Sequence, residues 1–280
     1  MKGKTILITG ATSGIGKETA LALSSMGARV VFTTRDVSRG EETCAHISER
    51  SGNPEVHAMF CRLDSFRSIQ EFSNDFKRKY KQLHVLINNA GAFEIHRKLS
   101  ADGIELTFAV NHLAPFLMTH LLLDNIRAGG AGRIINVSSG VHKKAMINFG
   151  DIEFRKNYHW MRAYSQSKLA NVLFTFLLSK KMAGTGVTVN CLHPGMVLTN
   201  IYRDMNPLLR SFFRLHMLSP RKGAETSIFL ASSDEVKDVT GAFFEKKKMV
   251  KDLNSSCDTE AADRLWQLSA EYARDYLNIQ

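Results

Sequence analysis

The sequence predicts a single α/β domain with a doubly wound parallel sheet and helices on both of its faces. Short apolar runs alternate with longer helical patterns from the start of the chain, which is typical of βαβ units. Right-handed crossovers between parallel strands then place the helices on both faces. Because no stretch rich in Pro, Gly or Ser divides the 280 residues, we expect one domain over residues 1–280.

Seven apolar runs predict strands, and amphipathic patterns between them predict helices. The strands are residues 5–9, 29–34, 56–62, 85–88, 133–138, 187–193 and 242–245. The helices are residues 16–26, 65–79, 103–126, 161–182 and 220–232. Two segments, 140–162 and 196–220, interrupt the alternation. Both follow the carboxyl ends of strands, the edge at which open α/β sheets bind ligands.

The first strand leads into a glycine-rich turn, residues 9–16 (TGATSGIG), at the start of the first helix. Glycines let the backbone approach a pyrophosphate closely, and the helix N-terminus offers unpaired N–H donors with a partial positive charge. The spacing Gly-x3-Gly-x-Gly differs from the more familiar Gly-x-Gly-x2-Gly. Its place between a strand and a helix nevertheless predicts a Rossmann-type dinucleotide site. The expected contacts are Gly10, Thr12, Ser13, Gly14, Ile15 and Gly16.

The end of the second strand indicates which dinucleotide is preferred. Arg35 and Asp36 follow this strand about 20 residues after the glycine-rich turn, where a side chain is expected to reach the adenosine ribose. The Arg35 guanidinium can hold a 2′-phosphate, which favours NADP(H). Asp36 leaves NAD(H) open as the alternative, because a carboxylate can bind the ribose 2′-hydroxyl instead.

The end of the third strand carries Leu63 and Asp64. Both are expected beside the adenine, where the Asp64 carboxylate could accept a hydrogen bond from the exocyclic amine. The same carboxylate could instead cap the helix predicted over residues 65–79. The residue types favour neither role of Asp64 over the other.

Tyr164 and Lys168 lie four residues apart in the helix predicted over residues 161–182, so they share one face of it. A free tyrosine has a pKa of about 10, which is too high for efficient proton transfer at neutral pH. A neighbouring ammonium favours the phenolate and lowers that pKa. The pair therefore predicts a general acid for carbonyl reduction, or a general base for alcohol oxidation.

Several motifs occur in an order that resembles the classical short-chain dehydrogenases/reductases over roughly residues 3–200. They are TGATSGIG at 9–16, NNAG at 88–91, Asn111, NVSS at 136–139, YSQSK at 164–168 and PGMVLT at 194–199. The segments GIGKETA, VNHLAPFLMTHLLL, KLANVLFT and HPG are similar to the retinol dehydrogenase-like subgroup. Residues 261–269 (AADRLWQLS) also resemble the C-terminal helix of that subgroup.

The resemblance implies a catalytic role for four side chains, Tyr164, Lys168, Ser139 and Asn111. Ser139 would hydrogen-bond the substrate carbonyl beside Tyr164, whereas Ser138 would be structural. Tyr164 and Lys168 would also contact the cofactor, with Lys168 bonded to the nicotinamide ribose. Asn111 would hold a water molecule that links Lys168 to bulk solvent.

The resemblance also implies further contacts to the cofactor. The cofactor cleft would be lined by Asn89, Ala90 and Gly91. The nicotinamide carboxamide would be cradled by Pro194, Gly195, Val197 and Thr199.

These motifs predict an NADP(H)-dependent oxidoreductase that transfers a hydride between nicotinamide and the carbonyl or alcohol carbon of a hydrophobic substrate. Retinal or retinol, lipid aldehydes and ketones all fit this description. An alternative from another class is a non-catalytic NADP-binding sensor or scaffold on the same fold, although a sensor need not retain proton-handling side chains. A lipid-surface binding protein that uses the basic runs is a third hypothesis.

The segment 196–220 is rich in Met, Leu and Phe, with arginines among them. We expect it to be a lid that forms the pocket wall for a hydrophobic substrate. An ordinary core helix and a helix that rests on a membrane surface are the alternatives. A C-terminal tail is expected from about residue 246 to residue 280.

Charge and composition narrow the choice of partners. The formal net charge is +10, and basic runs occur at residues 77–81 and 246–251. Neither run is interleaved with aromatic side chains as in a single-strand binder, so nucleic acid is not expected as a partner. A positive field can instead attract a polyanionic cofactor. Because no grouping of His, Cys, Asp or Glu has metal-ligand spacing, no metal site is predicted.

The N-terminal residues do not resemble a signal peptide, and no run of about 18 apolar residues occurs. A cytoplasmic protein is therefore expected, with peripheral contact to membranes left open. The resemblance also leaves a homodimer or a homotetramer open.

Overall fold

An eight-stranded sheet forms the centre of the protein. The computed structural model describes residues 1–197, 217–250 and 258–277. The strands are β1 (Thr5–Ile8), β2 (Arg29–Thr34), β3 (Val56–Phe60), β4 (Val85–Asn88), β5 (Arg133–Val137), β6 (Thr188–His193), β7 (Phe243–Glu245) and β8 (Lys248–Met249). Their order is β3-β2-β1-β4-β5-β6-β7-β8. The chain reverses direction across the sheet between β3 and β4, so β1 and β4 flank the switch point at which such sheets bind ligands.

The strands β1 to β7 run parallel to their neighbours, and β8 pairs antiparallel with β7. The helices are α1 (Gly14–Ser25), α2 (Val37–Ser51), α3 (Phe66–Lys79), α4 (Leu106–Phe108), α5 (Ala114–Leu121), α6 (Leu123–Ala128), α7 (Trp160–Lys181), α8 (Pro220–Ser232) and α9 (Thr259–Ala273). A π-turn, Ala109–Leu113, joins α4 to α5, and 3-10 turns occur at Gly140–Lys144 and Asp234–Val236. The predicted single-domain, doubly wound fold is confirmed.

Two hydrophobic clusters cover the two faces of the sheet. Along β1, Leu7 belongs to the cluster that includes side chains of α3, α5, α7 and α9, whereas Ile6 and Ile8 belong to the cluster on α1, α2 and α8. Successive strand side chains point to opposite faces, and parallel strands are covered on both. This double burial explains why the strands are continuous apolar runs rather than alternating ones.

The seven predicted strands are all present, and their ends agree with the prediction to within two residues. The helix α2 and the strand β8 are not among the predicted elements. α2 buries only Gly40, Thr43 and Ile47, so its apolar stripe is narrow. β8 has two residues, and both are exposed. The C-terminal helix implied by the resemblance at residues 261–269 lies within α9.

The single helix predicted over residues 103–126 is wrong. The structure divides this segment into α4, the π-turn, α5 and α6, and the first helical residue is Leu106. Pro115 lies in the first turn of α5. Since proline has no backbone N–H and its ring collides with the carbonyl four residues earlier, a regular α-helix cannot pass through this position. The interruption falls beside Asn111, which is a predicted catalytic residue.

Most of the predicted lid, residues 198–216, lies outside the described residues, so the lid stays a prediction. The segment predicted as a tail from residue 246 contains β8 and α9. Among the described residues, no helix has the length and apolar character needed to span a bilayer.

Candidate active site

The glycine-rich turn connects β1 to α1 at the carboxyl edge of the sheet. Gly10 has a φ of 70°, a left-handed conformation that glycine adopts without strain. A side chain at Gly16 would overlap the Gly10 carbonyl oxygen and the Asn89 side chain. The turn therefore packs too closely for larger residues, as the sequence predicted for a backbone that approaches phosphates.

Asn89 braces this turn from the end of β4. Its side-chain amide donates to the carbonyl oxygens of Thr9, at 2.8 Å, and Gly10, at 3.1 Å. In return, the Thr9 hydroxyl oxygen accepts from the backbone N–H groups of Asn89 and Ala90, both at 3.0 Å. The segment predicted to line the cleft, which ends at Gly91, thus also holds the glycine-rich turn in shape.

The N-terminus of α1 retains its capacity to bind an anion. Ser13 is its N-cap residue, but the Ser13 side chain makes no capping hydrogen bond, and the first turn contains no acidic residue. Helix N-termini carry unpaired N–H groups and a partial positive charge. The predicted contacts Thr12, Gly14 and Ile15 lie at this end, so the arrangement fits the pyrophosphate of a dinucleotide.

Arg35 and Asp36 have different environments at the end of β2. Arg35 is exposed, and its charge helps to lower the pKa of the Asp64 carboxyl group. The Asp36 carboxylate accepts from the backbone N–H of Arg39 at 3.1 Å and caps α2. Asp36 is therefore engaged by its own helix, whereas Arg35 extends into solvent at the edge where a ribose would lie.

The suggestion that Asp64 caps the following helix is wrong. Ser65 is the N-cap of α3, and its hydroxyl oxygen accepts from the backbone N–H of Ser68. A serine hydroxyl one residue closer to the helix can meet that N–H directly. The Asp64 carboxylate instead binds the Arg62 guanidinium at 2.9 and 3.2 Å, and this bond chiefly lowers its pKa. Leu63 packs partly against the core.

Tyr164 and Lys168 occupy one face of α7, as predicted from their spacing. The Lys168 Nζ lies 5.6 Å from the centroid of the Tyr164 ring. It donates to the Val137 carbonyl oxygen at 3.0 Å. Lys168 is 3% exposed, and this burial lowers the pKa of its ammonium to about 8. The group therefore still carries its charge at neutral pH, in surroundings that screen charge weakly.

The two serines that follow β5 differ in role. The Ser138 side chain is buried and donates to the Lys168 carbonyl oxygen at 2.7 Å, so it ties β5 to α7 as the resemblance implied. Ser139 is partly exposed at the same sheet edge. Its backbone carbonyl oxygen contacts His142 Nδ1 at 2.6 Å. Ser139 is thus the member of the pair that a ligand can reach.

Asn111 lies in the π-turn and is fully buried. Its Oδ1 accepts from the Ala92 N–H at 2.6 Å, and its Nδ2 donates to the Ala92 carbonyl at 3.0 Å. The Nδ2 also donates to the Ser167 hydroxyl at 2.9 Å. Pro115, four residues later, has no N–H to donate to the Asn111 carbonyl in the α-helical pattern. Asn111 thus joins the loop after β4 to the helix that carries Tyr164 and Lys168.

Two aromatic residues beside Tyr164 were not predicted from the sequence. The Phe93 ring meets the Tyr164 ring edge-to-face with centroids 5.1 Å apart, and meets Trp160 in the same way at 5.0 Å. Phe93 follows the NNAG motif by two residues, and Trp160 precedes Tyr164 by one turn. The sequence signal that could have indicated them was the presence of aromatic residues so close to both motifs.

The predicted nicotinamide-side residues follow β6. Pro194 and Gly195 lead directly from that strand, and Val197 forms an isolated bridge with Leu218. The Val197 side chain is buried and lies close to Gly223 of α8. The last residue of this predicted group, Thr199, lies outside the described residues.

Comparison with known proteins identifies the family. The family model for short chain dehydrogenases matches residues 4–208. Human retinol dehydrogenase 14 is 41% identical, with 96% of this chain and 86% of that protein covered. Human retinol dehydrogenase 12 is 40% identical, with 97% and 86% covered.

Solved structures share the fold. An uncharacterised protein from Mycobacterium paratuberculosis has a TM-score of 0.80 and 30% identity, over 98% of this chain and 94% of that one. The RhlG/NADP active-site complex of Pseudomonas aeruginosa has a TM-score of 0.73 and 23% identity, over 87% and 94%. The chain therefore belongs to the short-chain dehydrogenase family, as a retinol dehydrogenase-like oxidoreductase that acts on CH–OH groups with a nicotinamide cofactor.

Proposed function

We propose that this protein is an NADP(H)-dependent oxidoreductase whose substrate is a hydrophobic carbonyl compound or the corresponding alcohol. The observation that carries the proposal is the buried Lys168 ammonium, 5.6 Å from the centre of the Tyr164 ring. This ammonium lies at the carboxyl edge of the sheet, where the uncapped N-terminus of α1 also lies. A cation held so close to a phenol favours proton loss from that phenol.

The nicotinamide supplies the hydride when the cofactor is bound. During carbonyl reduction, the Tyr164 hydroxyl gives its proton to the carbonyl oxygen, and during alcohol oxidation the phenolate takes that proton back. Lys168 stabilises the phenolate through its charge. Ser139 donates a hydrogen bond to the substrate oxygen and so holds it beside Tyr164. Asn111 positions α7, because its amide is bonded to Ser167 between the two catalytic residues.

The preference for NADP(H) is proposed from Arg35. Its guanidinium is exposed at the end of β2, whereas the neighbouring Asp36 carboxylate caps α2. A guanidinium can bond a ribose 2′-phosphate through several charge-assisted hydrogen bonds. A carboxylate already bonded to its own helix is less available for a ribose hydroxyl, so the arrangement favours the phosphorylated cofactor.

The hydrophobic substrate is proposed from apolar side chains at the same sheet edge. Ile95 follows β4, Met146 follows β5 and Met196 follows β6, and they are 36%, 85% and 58% exposed. Exposed methionines adapt to ligands of varied shape. Two similar human proteins are named retinol dehydrogenases, which makes retinal and retinol natural members of a first substrate panel.

The test is the substitution Tyr164→Phe, assayed by NADPH absorbance against a panel of hydrophobic aldehydes and ketones. Loss of the proton donor should lower kcat by about 10²- to 10⁴-fold, while the Kd for NADPH should change by less than about twofold because no cofactor phosphate contact is touched. The matched control is Tyr80→Phe, which removes a tyrosine hydroxyl at the C-terminal end of α3. This variant should reduce the substrates at the unmodified rate. Retained turnover in Tyr164→Phe would refute the proton-donor role. Absence of turnover in the unmodified protein would favour the sensor hypothesis.

A further inference from the structure

We propose that Ser269, on the C-terminal helix α9, is a positioning residue for the reaction proposed above, because it holds His112 and thereby the π-turn that carries Asn111. The inference rests on the proposed function. The family model ends at residue 208, so α9 lies beyond the matched region, and the implied catalytic set contains neither Ser269 nor His112.

The Ser269 side chain lies between its own helix and His112. The Ser269 hydroxyl donates to the Leu265 carbonyl oxygen at 2.7 Å. Ser269 Oγ also lies 2.8 Å from His112 Nε2. Which of the two groups donates at this second contact depends on the imidazole tautomer. In either case the contact joins α9 to the π-turn.

The surroundings of His112 keep its imidazole neutral and fixed. The side chain is buried, and burial lowers its pKa to about 3. The ring is stacked on Phe108 with centroids 5.3 Å apart and meets Phe174 edge-on at 6.1 Å. A neutral imidazole enclosed in this way does not exchange protons with a substrate at neutral pH. Its role is to hold the backbone on which it stands.

His112 constrains the backbone of Asn111, its neighbour in the π-turn. Asn111 Nδ2 donates to the Ser167 hydroxyl at 2.9 Å, and that hydroxyl donates to the Tyr164 carbonyl oxygen at 2.7 Å. A continuous set of contacts thus runs from α9 to the helix that presents Tyr164. Rotation of the π-turn would break the Asn111 bond to α7 without touching the glycine-rich turn.

Apolar packing docks α9 independently of Ser269. The Trp266 ring meets Phe116 and Phe174 with centroids 5.2 and 5.9 Å apart, and the Lys181 ammonium lies 4.9 Å from the Trp266 ring centre. Since these contacts bury the helix on their own, loss of one hydroxyl should leave α9 in place. What the hydroxyl adds is the polar contact to the π-turn.

The first experiment compares Ser269→Ala with Ser73→Ala. Ser73 in α3 is also fully buried, and its hydroxyl also donates to the carbonyl four residues earlier at 2.7 Å, but no histidine is bonded to it. We expect kcat to fall about fivefold or more in Ser269→Ala, as for loss of one buried hydrogen bond, with the Kd for NADPH unchanged. Ser73→Ala should keep the unmodified kcat. Equal kcat values in the two variants would overturn the proposal.

The second experiment is a double-mutant cycle with His112→Phe. If Ser269 acts through His112, removal of both residues should lower kcat no further than the more damaging single substitution. Independent, multiplying losses would overturn the proposal.

A readout without turnover separates this proposal from the proposed function. The side-chain amide signals of Asn111 in NMR spectra should shift in Ser269→Ala and stay in place in Ser73→Ala. Unchanged Asn111 signals in Ser269→Ala would overturn the positioning role alone. An unmodified protein that reduces no member of the substrate panel would overturn the proposed function, and the NMR comparison would still show whether Ser269 positions Asn111.

Discussion

The N-termini of α1 and α2 occupy equivalent positions in the fold, but only α2 has a side-chain cap. Each helix begins just after the carboxyl end of a strand, and the two strands, β1 and β2, are neighbours. The Asp36 carboxylate caps α2 by accepting from the Arg39 N–H. Ser13, at the same position in α1, makes no such bond, and the first turn of α1 contains no acidic residue.

The two helix N-termini differ in whether they contribute to the stability of the fold or remain available for binding. A side-chain cap stabilises a helix by about 0.5–2 kcal/mol, and α2, α3, α8 and α9 all have one. α1 lacks that contribution to stability, and the backbone N–H groups of its first turn remain available to an external anion. The glycine-rich turn ahead of it provides the close approach that a pyrophosphate needs. The same structural position therefore stabilises the fold in α2, whereas in α1 it is left open for the proposed cofactor contact.

The largest expected effect comes from converting one kind of N-terminus into the other. Ser13→Asp would place a carboxylate where the pyrophosphate is expected, and repulsion between like charges at short range amounts to several kcal/mol. We expect the Kd for NADPH to rise by about 100-fold or more, while the free energy of unfolding rises by about 0.5–1 kcal/mol because α1 gains a cap. Fluorescence titration and urea unfolding measure the two quantities.

Ser13→Ala is the control for this conversion, since the native hydroxyl makes no capping bond. It should leave the free energy of unfolding close to its original value, and it should raise the Kd for NADPH far less than Ser13→Asp does, because it removes one expected contact without adding a charge. If Ser13→Asp bound NADPH as tightly as Ser13→Ala does, the anion site would lie elsewhere.

The next largest effect is expected for Arg35, which directly precedes the N-cap residue of α2. Arg35→Ala should raise the Kd for NADPH by about 10- to 100-fold, because charge-assisted hydrogen bonds to the 2′-phosphate are lost. The Kd for NADH should change little. Arg50→Ala, which removes a guanidinium from the opposite end of α2, controls for the loss of general positive charge. Equal losses for both cofactors would show that Arg35 does not contact the phosphate.

The smallest effect is expected for the cap itself. Asp36→Ala should lower the free energy of unfolding by about 1 kcal/mol, as for other N-caps, and leave the Kd for NADPH unchanged. Measured beside Ser13→Ala, it reports the difference between a capped and an open helix directly. A clear loss of NADH affinity in Asp36→Ala would instead assign this carboxylate to the ribose.

The local parts of the site were readable from the sequence. The relation of Tyr164 to Lys168 follows from the helical repeat, and the close packing at Gly16 follows from a glycine-rich segment between a strand and a helix. Lys168 is four residues from Tyr164, and Gly10 is six residues before Gly16, so local backbone geometry places these groups. The Asn89 side chain that also packs at Gly16 comes from the end of β4 and required the tertiary structure.

Other parts were left open, missed or predicted wrongly. A capping role was one of two alternatives for Asp64, and the adjacent Ser65 and the Arg62 guanidinium exclude it. Phe93 was missed, because its contact with Tyr164 depends on how the loop after β4 folds back over α7. The prediction of one continuous helix through Pro115 was wrong, because it followed the apolar periodicity and disregarded the missing N–H of the proline.

The sequence alone determined seven of the strands, the glycine-rich turn between β1 and α1, and the shared helix face of Tyr164 and Lys168, since each depends on local backbone geometry. Only the tertiary structure decided that Asn111 bonds to Ser167, and that His112 bonds to Ser269, 157 residues further along the chain. Contacts of that kind arise when helices pack on a common sheet and buried polar groups must find partners. No local pattern records which partner each will find.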